Sequence, residues 1–384
     1  MTDILRIYVL WHPESTRGAA LAARIAAHFD GLGMERDGVG YRVPVRFRST
    51  PWQGGADPEA PRAIDLDLAK HNAIILLHDA PMRRDEAVWD AYVLGVRAQM
   101  GARGTADCYI PFQGERQIGP LKTDAASFTQ YARQFEWPAR LGSTEACETH
   151  ALLHILFAIR YLLRSMAIIG GLPETLFVSH AKVDGDETAR AIINYVNDPN
   201  QDIPYRSFYD AKQLMPGYSY QAQFQAVIAE ATLLAIVSDV YDSRPWCVFE
   251  LTEAKRARRP IVMADIGQRR ISRTYPYGAN VPRVKFTPTD SASIETLLLE
   301  VLSEGLRCDV FQEQAQDTMR TKKILGLALP RPPELYDIIA RPVAQLGAKI
   351  IYPDPPLADI EAALVKAALA ARSPNTEISS LGEL

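Results

Sequence analysis

The segment Ser238-Asp239-Val240-Tyr241-Asp242-Ser243-Arg244-Pro245-Trp246-Cys247-Val248-Phe249-Glu250-Leu251 sets one carboxylate, Glu250, just inside a helix that follows an apolar strand. Open α/β sheets take their ligands at the carboxyl ends of the strands, which makes Glu250 the candidate catalytic residue. Its plain alternative is a glutamate that merely stabilises the helix dipole. A second group with the spacing for chemistry is His150 and His154, four apart in HALLH. That is half of a zinc site, but the glutamate of an HExxH motif is missing and no third ligand is evident, so a structural role and no metal are expected. The cysteines at 108, 147, 247 and 308 show neither CxxC pairing nor metal-ligand spacing, and Cys247 is expected to be inert packing. A Walker loop, a GxGxxG after a strand and a GxSxG elbow are also missing. Phosphate hydrolysis, Rossmann hydride transfer and serine hydrolysis therefore lack their minimum parts.

The elements that must position Glu250 can be read outward from it. Leu233 to Val237 is a short, continuous, partly β-branched run, the pattern of a buried parallel strand, and Ser238 and Asp239 stop it. Ser243 is placed to cap the next helix, Pro245 suits its first turn, and Arg256, Arg258 and Arg259 complement the dipole at its end. On that helix Trp246, Glu250 and Ala254 share a stripe, while Cys247, Leu251 and Ala254 make an apolar flank for the sheet, so Glu250 is expected to face a cleft beside the indole. Upstream, Thr175 to Asp184 reads as a strand and polar loop before a helix from Glu187 to Val196. Tyr205 to Asp210 reads as another strand, followed by the loop Ala211 to Ser219 with Pro216-Gly217 and a helix through Gln223, Val227 and Ile228. Together these make βαβαβα.

Three segments in this order, FVSHAKVD, FYDAKQLMPG and SDVYDSRPWCVFEL, resemble the first-strand motif, the second strand with its BB loop, and the glutamate-bearing box of the Toll/interleukin-1 receptor (TIR) domain family. The resemblance covers roughly a third of the chain. It implies a flavodoxin-like α/β domain with a parallel sheet and, as in many bacterial and plant members, cleavage of the nicotinamide–ribose bond of NAD+, with Glu250 at the family's catalytic position. It further implies that Ser179, His180, Lys182, Phe208, Asp210 and Trp246 line the substrate pocket, and that Leu214, Met215, Pro216 and Gly217 form a BB loop acting in assembly. NAD+ would be the substrate, with no cofactor. The resemblance also leaves open a non-enzymatic TIR scaffold, and a cyclase or ADP-ribosyl transferase using the same glutamate.

The N-terminal third repeats the pattern weakly. Leu5 to His12 parallels the strand ending in Ser179-His180, Val43 to Phe47 the one ending at Phe208, and Ala73 to Asp79 the one ending in Ser238-Asp239. Asp79 and Asp90 are as far apart as Asp239 and Glu250, which puts Asp90 where the glutamate would be, without the neighbouring Trp-Cys pair. The expected organisation is a degenerate TIR-like α/β domain at 1–115, a helical linker at 116–172 with a core from Glu145 to Ile168, the TIR domain at 173–290, and a C-terminal α/β extension at 291–384. In the extension, Gly347 to Ile351 reads as a strand, Asp359 to Ala371 as a helix, and Ser373 to Leu384 as a frayed polar end.

Composition bounds the remainder. A chain of 384 residues with 47% hydrophobic content has room for sizeable cores, and a net charge of -4 argues against nucleic acid as a partner. The apolar stretch Ala151 to Leu172 is interrupted by His154, Arg160 and Arg164, as in an amphipathic helix rather than a membrane span. Without a disulfide framework or a secretory apolar core in Met1 to Ser15, a cytoplasmic protein is expected, a homo-oligomer through TIR contacts with a regulatory protein partner.

Overall fold

The computed structural model describes residues 3–31, 43–55, 57–165, 175–203, 205–208, 217, 219–268, 278–288 and 290–384. The chain is α/β and forms two compact units, Met1–Gly171 and Leu172–Leu384.

The first unit runs β1 (Asp3–Trp11), α1 (Thr16–Gly31), β2 (Val45–Arg48), β3 (Ala69–His78), α2 (Ala80–Arg84), α3 (Glu86–Arg103), β4 (Asp107–Gln113), α4 (Lys122–Ala126), α5 (Trp137–Leu141) and α6 (Thr144–Ser165). Its strands are all parallel in the order β2-β1-β3-β4. The central strand β3 is buried at all but one position, and its middle, Ala73 to Leu77, is an uninterrupted apolar run. Residues 116–165, read from the sequence as a linker, fold within this unit, where α6 packs against β3, β4 and α1. By length and composition α6 could cross a membrane, but 72% of its apolar window is buried inside the fold, as in a core helix.

The second unit runs β5 (Thr175–His180), α7 (Asp186–Asn197), β6 (Arg206–Phe208), α8 (Tyr220–Ile228), β7 (Thr232–Val237), α9 (Pro245–Arg256), β8 (Ile261–Asp265), β9 (Arg283–Lys285), α10 (Ser291–Lys322), β10 (Gly326–Ala328), α11 (Leu335–Ile339), β11 (Lys349–Tyr352), α12 (Asp359–Arg372) and β12 (Glu377–Ser380). Its main sheet is parallel with the order β6-β5-β7-β8-β9. That is the flavodoxin-like order, whose switch point lies between the first and third strands, here β5 and β7. Every residue of β7 is buried, and Phe177, Leu233, Ala235, Val237, Cys247, Leu251 and Ala254 join one core that seats α9 on the sheet.

Two elements depart from the sequence reading. The 32-residue helix α10 was not anticipated. It is buried against β7, β8, α7 and β10 on several sides, which blurs the one-faced periodicity by which amphipathic helices are recognised. Its start does carry a local signal, a capping box between Asp290 and Ser293. The polar end expected to fray instead supplies β12, the outer strand of a parallel sheet β10-β11-β12, with Ser380 fully buried and its hydroxyl 2.7 Å from Asp354 Oδ1. Pairing with β11 satisfies backbone groups that composition alone assigns to solvent.

That small sheet depends on a glycine pair. A Cβ on Gly326 would stand 2.1 Å from the Lys349 carbonyl oxygen, and Gly347, at φ +65, would set a Cβ 2.9 Å from the Gly326 Cα. Gly326→Ala is therefore expected to lower stability by about 1–3 kcal/mol, because backbone and not a movable side chain blocks the methyl. A urea midpoint equal to wild type would show that the strands separate without cost.

Candidate functional site

Helix α9 begins at Pro245, whose missing N–H costs nothing in the first turn. The cap residue is Arg244, without a side-chain cap bond, and Ser243 donates instead to the Val240 carbonyl at 2.7 Å, so the expected serine cap is not formed. Counting from Pro245 places Glu250 in the second turn, past the free N–H groups whose partial charge would favour a carboxylate, which weakens the dipole reading of this residue. Its side chain turns inward. Glu250 is 9% exposed, and Ser179 Oγ, in the penultimate residue of β5, donates to Glu250 Oε2 at 2.6 Å.

The hydroxyl of Tyr241, in the turn after β7, lies 2.7 Å from Ser179 Oγ. A serine has one proton, already given to Glu250, so Tyr241 donates to Ser179 and the chain runs Tyr241 to Ser179 to Glu250. Both hydroxyl residues are buried, at 1% exposure each. Burial pushes the Glu250 carboxyl up from its usual value near 4.5 to about 7, and the Ser179 hydrogen bond holds it partly back. Burial likewise keeps the Tyr241 phenol well above its ordinary range, so it remains a donor, and lifts the Cys247 thiol to about 12, which leaves that cysteine inert. Close by, Ser238 Oγ donates to Asp184 Oδ1 at 2.6 Å, tying the loop after β7 to the loop after β5 across the switch point.

Of the remaining residues singled out from sequence, His180 ends β5 with Nε2 3.4 Å from Asp186 Oδ1, and Lys182 is exposed in the turn that follows. Trp246 is 49% exposed and packs edge-on to Tyr220 and Phe249, at centroid distances of 5.2 and 5.4 Å, and tilted on Phe224 at 6.2 Å. The indole thus belongs to an aromatic group shared with α8. Phe208 closes β6, and Gly217 has φ +87, whereas Asp210, Leu214, Met215 and Pro216 lie outside the described residues. Tyr241 and the Ser238–Asp184 pair were not foreseen; a tyrosine within a polar loop gives no sign that it will turn inward. A separate cleft, lined by Lys255, Arg331, Glu334 and Asp337 among others, lies at the other end of α9.

His150 and His154 bring their Nε2 atoms to 3.1 Å, and the Arg140 guanidinium approaches His150 Nε2 at 3.0 Å. Trp137 stacks on His154 at 5.4 Å, and burial drives the His154 imidazole down to about 3. A guanidinium on one of the two nitrogens is poor company for a cation.

The first unit repeats the strand order but not the site. The register that sets Ser179 opposite Ala235, three residues before Ser238, sets Val9 opposite Ile75, three residues before His78. Sequence alone had matched Trp11-His12 to Ser179-His180. No hydroxyl is therefore offered from the matching position, and Asp90 Oδ1 accepts the backbone N–H of Thr123 at 2.7 Å instead.

No protein-family model matches this chain, and no curated protein matches it in sequence. Among solved structures 29 chains match. They include the TIR domains of the activated Roq1 resistosome recognising the pathogen effector XopQ, at 22% identity and TM-score 0.22, covering 24% of this chain and 57% of that one. Also among them is a dinucleotide-forming acetyl-coenzyme A synthetase 1 from Ca. Korarchaeum cryptofilum, at 10% identity and TM-score 0.30, covering 82% of this chain and 67% of that one. The likeness to TIR domains is thus partial, and at these scores neither match carries weight for function.

The buried carboxylate has a signature in stability. A group whose folded pKa is raised stabilises the fold below its unfolded value, near 4.5, and loses that contribution as pH rises through about 7. Between about pH 4 and pH 8, Glu250→Gln should gain on wild type by about 3 kcal/mol in urea unfolding, since glutamine has no charge to bury. A pH-independent difference would mean that Glu250 reaches water. Ser179→Ala, which removes the donor, should raise the Glu250 titration midpoint above its wild-type value in carboxyl-labelled NMR, and an unchanged midpoint would count against the hydrogen bond.

Proposed function

We propose that this chain is a TIR-type NAD+ glycohydrolase that cleaves the nicotinamide–ribose bond, with Glu250 as its catalytic residue. The observation that carries the reading is the buried Glu250 carboxylate, hydrogen-bonded by Ser179 and backed by Tyr241, at the β5/β7 switch point of a flavodoxin-ordered sheet. The three motif segments around it supply the link to NAD+.

The chemistry asks for one carboxylate. Nicotinamide in oxidised NAD is a cationic leaving group that departs neutral, so the acid of an ordinary glycosidase pair is not needed. Ionised Glu250 would accept hydrogen bonds from the ribose hydroxyls and stabilise the positive charge that develops on the sugar. Such an electrostatic contact is typically worth about 3 kcal/mol, and more where water is excluded. With its titration near 7, Glu250 is divided between acid and carboxylate at neutral pH, so turnover should rise with pH through that range. Ser179 and Tyr241 hold the carboxylate in one orientation, while Trp246 with Tyr220 offers an exposed aromatic surface for a base. By the family resemblance His180, Lys182, Phe208 and Asp210 complete the pocket, and the BB loop around Pro216-Gly217 gates it through self-assembly. The setting that goes with this activity is cytoplasmic antiphage defence by NAD+ depletion, with the N-terminal unit as sensor or contact domain.

The test is product analysis of NAD+ incubated with the purified protein, wild type beside Glu250→Gln, dilute and under crowding. Wild type should release nicotinamide, and the variant should lose at least about 100-fold in kcat with its fold intact. Equal release by both, or none by either under crowding, would sink the reading. The co-product distinguishes hydrolysis from cyclisation or transfer.

A further inference from the structure

Helix α9 is held at both ends, by different parts of the chain. Its first two turns lie on the sheet through Cys247 and Leu251 and carry Glu250. Its last turn is gripped from outside the sheet domain, by residues 331–341 around α11. Lys255 Nζ reaches both oxygens of the Glu334 carboxylate, at 2.7 and 2.8 Å, and the Ala279 carbonyl at 2.8 Å. Arg341 donates to the carbonyls of Arg256 at 2.9 Å and Lys255 at 3.1 Å, and to Asp337 Oδ1 at 3.3 Å. Tyr336 Oη donates to the Thr252 carbonyl at 3.3 Å, and Arg331 to the Arg259 carbonyl just past the helix, at 2.6 Å. The side chains of Lys255 and Arg341 are each 4% exposed.

These contacts exceed what packing requires. The last carbonyls of a helix lack partners within it; here the Arg341 guanidinium takes the Arg256 carbonyl and adds a second donor to the Lys255 carbonyl, which the Arg258 N–H also reaches at 3.0 Å. A buried ion pair such as Lys255–Glu334 is poor value as a stabiliser, because desolvation offsets most of the attraction, but it fixes relative position well. A helix is stiff over this distance: Lys255 and Glu250 are separated by about 7.5 Å along the axis at about 1.5 Å per residue. A displacement of the last turn therefore moves the carboxylate, whose 2.6 Å bond to Ser179 tolerates little of it.

We propose that Glu334 and Arg341 are positioning residues for the reaction. They clamp the last turn of α9 and so set how deeply Glu250 stands against Ser179, which gives the C-terminal extension a part in catalysis although it contributes no group to the site. The catalytic half of this inference rests on the function proposed above; the mechanical half does not.

The experiment uses the full chain and two conservative variants. Glu334→Gln keeps the shape of the clamp and removes its charge. Arg341→Lys keeps charge at the helix end but loses the fork that spans two carbonyls. The primary readout is the Glu250 titration in carboxyl-labelled protein, assigned by its loss in Glu250→Gln, and the second is the separation of kcat from KM for NAD+. In each folded variant the Glu250 midpoint should move by at least about half a pH unit from the wild-type value, because both the burial and the Ser179 hydrogen bond that set it depend on where the helix stands. In an active enzyme kcat should fall about tenfold while KM stays within about twofold. Folded variants that keep the wild-type midpoint would overturn the clamp. If wild type does not turn over NAD+, the proposed activity fails and the titration still decides the clamp. Should one variant not fold, the other carries the same test.

Discussion

The second unit is organised around the desolvation of one carboxylate. Glu250 is withdrawn from water with Ser179 as its hydrogen-bond donor among the described residues, and this costs enough to move its titration close to neutrality. Surrounding features can be read as what makes such an arrangement sustainable. Tyr241 spends its only proton on Ser179, the loops after β5 and β7 are tied by Ser238 and Asp184, and Cys247, Leu251 and Ala254 fix α9 to the sheet. The group lies on the helix that follows β7, beside the β5/β7 switch point of the parallel sheet.

The two units make an internal control on this reading. Both are parallel sheets with the second strand outside the first and the third beside it, and in both a carboxylate follows the third strand at the same spacing. Topology alone therefore does not produce the site. What differs is local: Ser179 offers a hydroxyl where Val9 offers none, and Asp90 is occupied as an acceptor for the Thr123 amide. The first unit keeps the scaffold and uses its carboxylate to cap a short helix.

The C-terminal extension shows how a segment outside a sheet domain becomes part of its mechanics. The residues around α11 close the carbonyl end of α9 with a buried ion pair and a guanidinium, and the long helix α10 connects the main sheet to the small one built on the Gly326–Gly347 approach. Contacts of this kind are long-range in sequence: Lys255 meets a partner 79 positions away, and Arg341 reaches back 85 and 86.

That distance separates what could be read from what could not. Strand runs such as Leu233 to Val237, the helix start at Pro245 and the placing of Glu250 after them follow from local periodicity and turn chemistry, which neighbouring residues decide among themselves. The sequence by itself thus determined the α/β class, the parallel order of elements and the place of Glu250 on the helix that follows the third strand of the main sheet. It did not reveal α10, because a helix surrounded by protein has no polar face to betray its period, nor β12, because a polar strand becomes a strand only when a neighbour takes its hydrogen bonds. Only the tertiary structure decided that Tyr241 turns inward, that Ser179 meets Glu250 across 71 positions, that Trp246 sides with α8, and that Asp90 is consumed by an amide. Each of these depends on which side chains share one desolvated space, and burial is a property of the assembled fold, not of any stretch of chain.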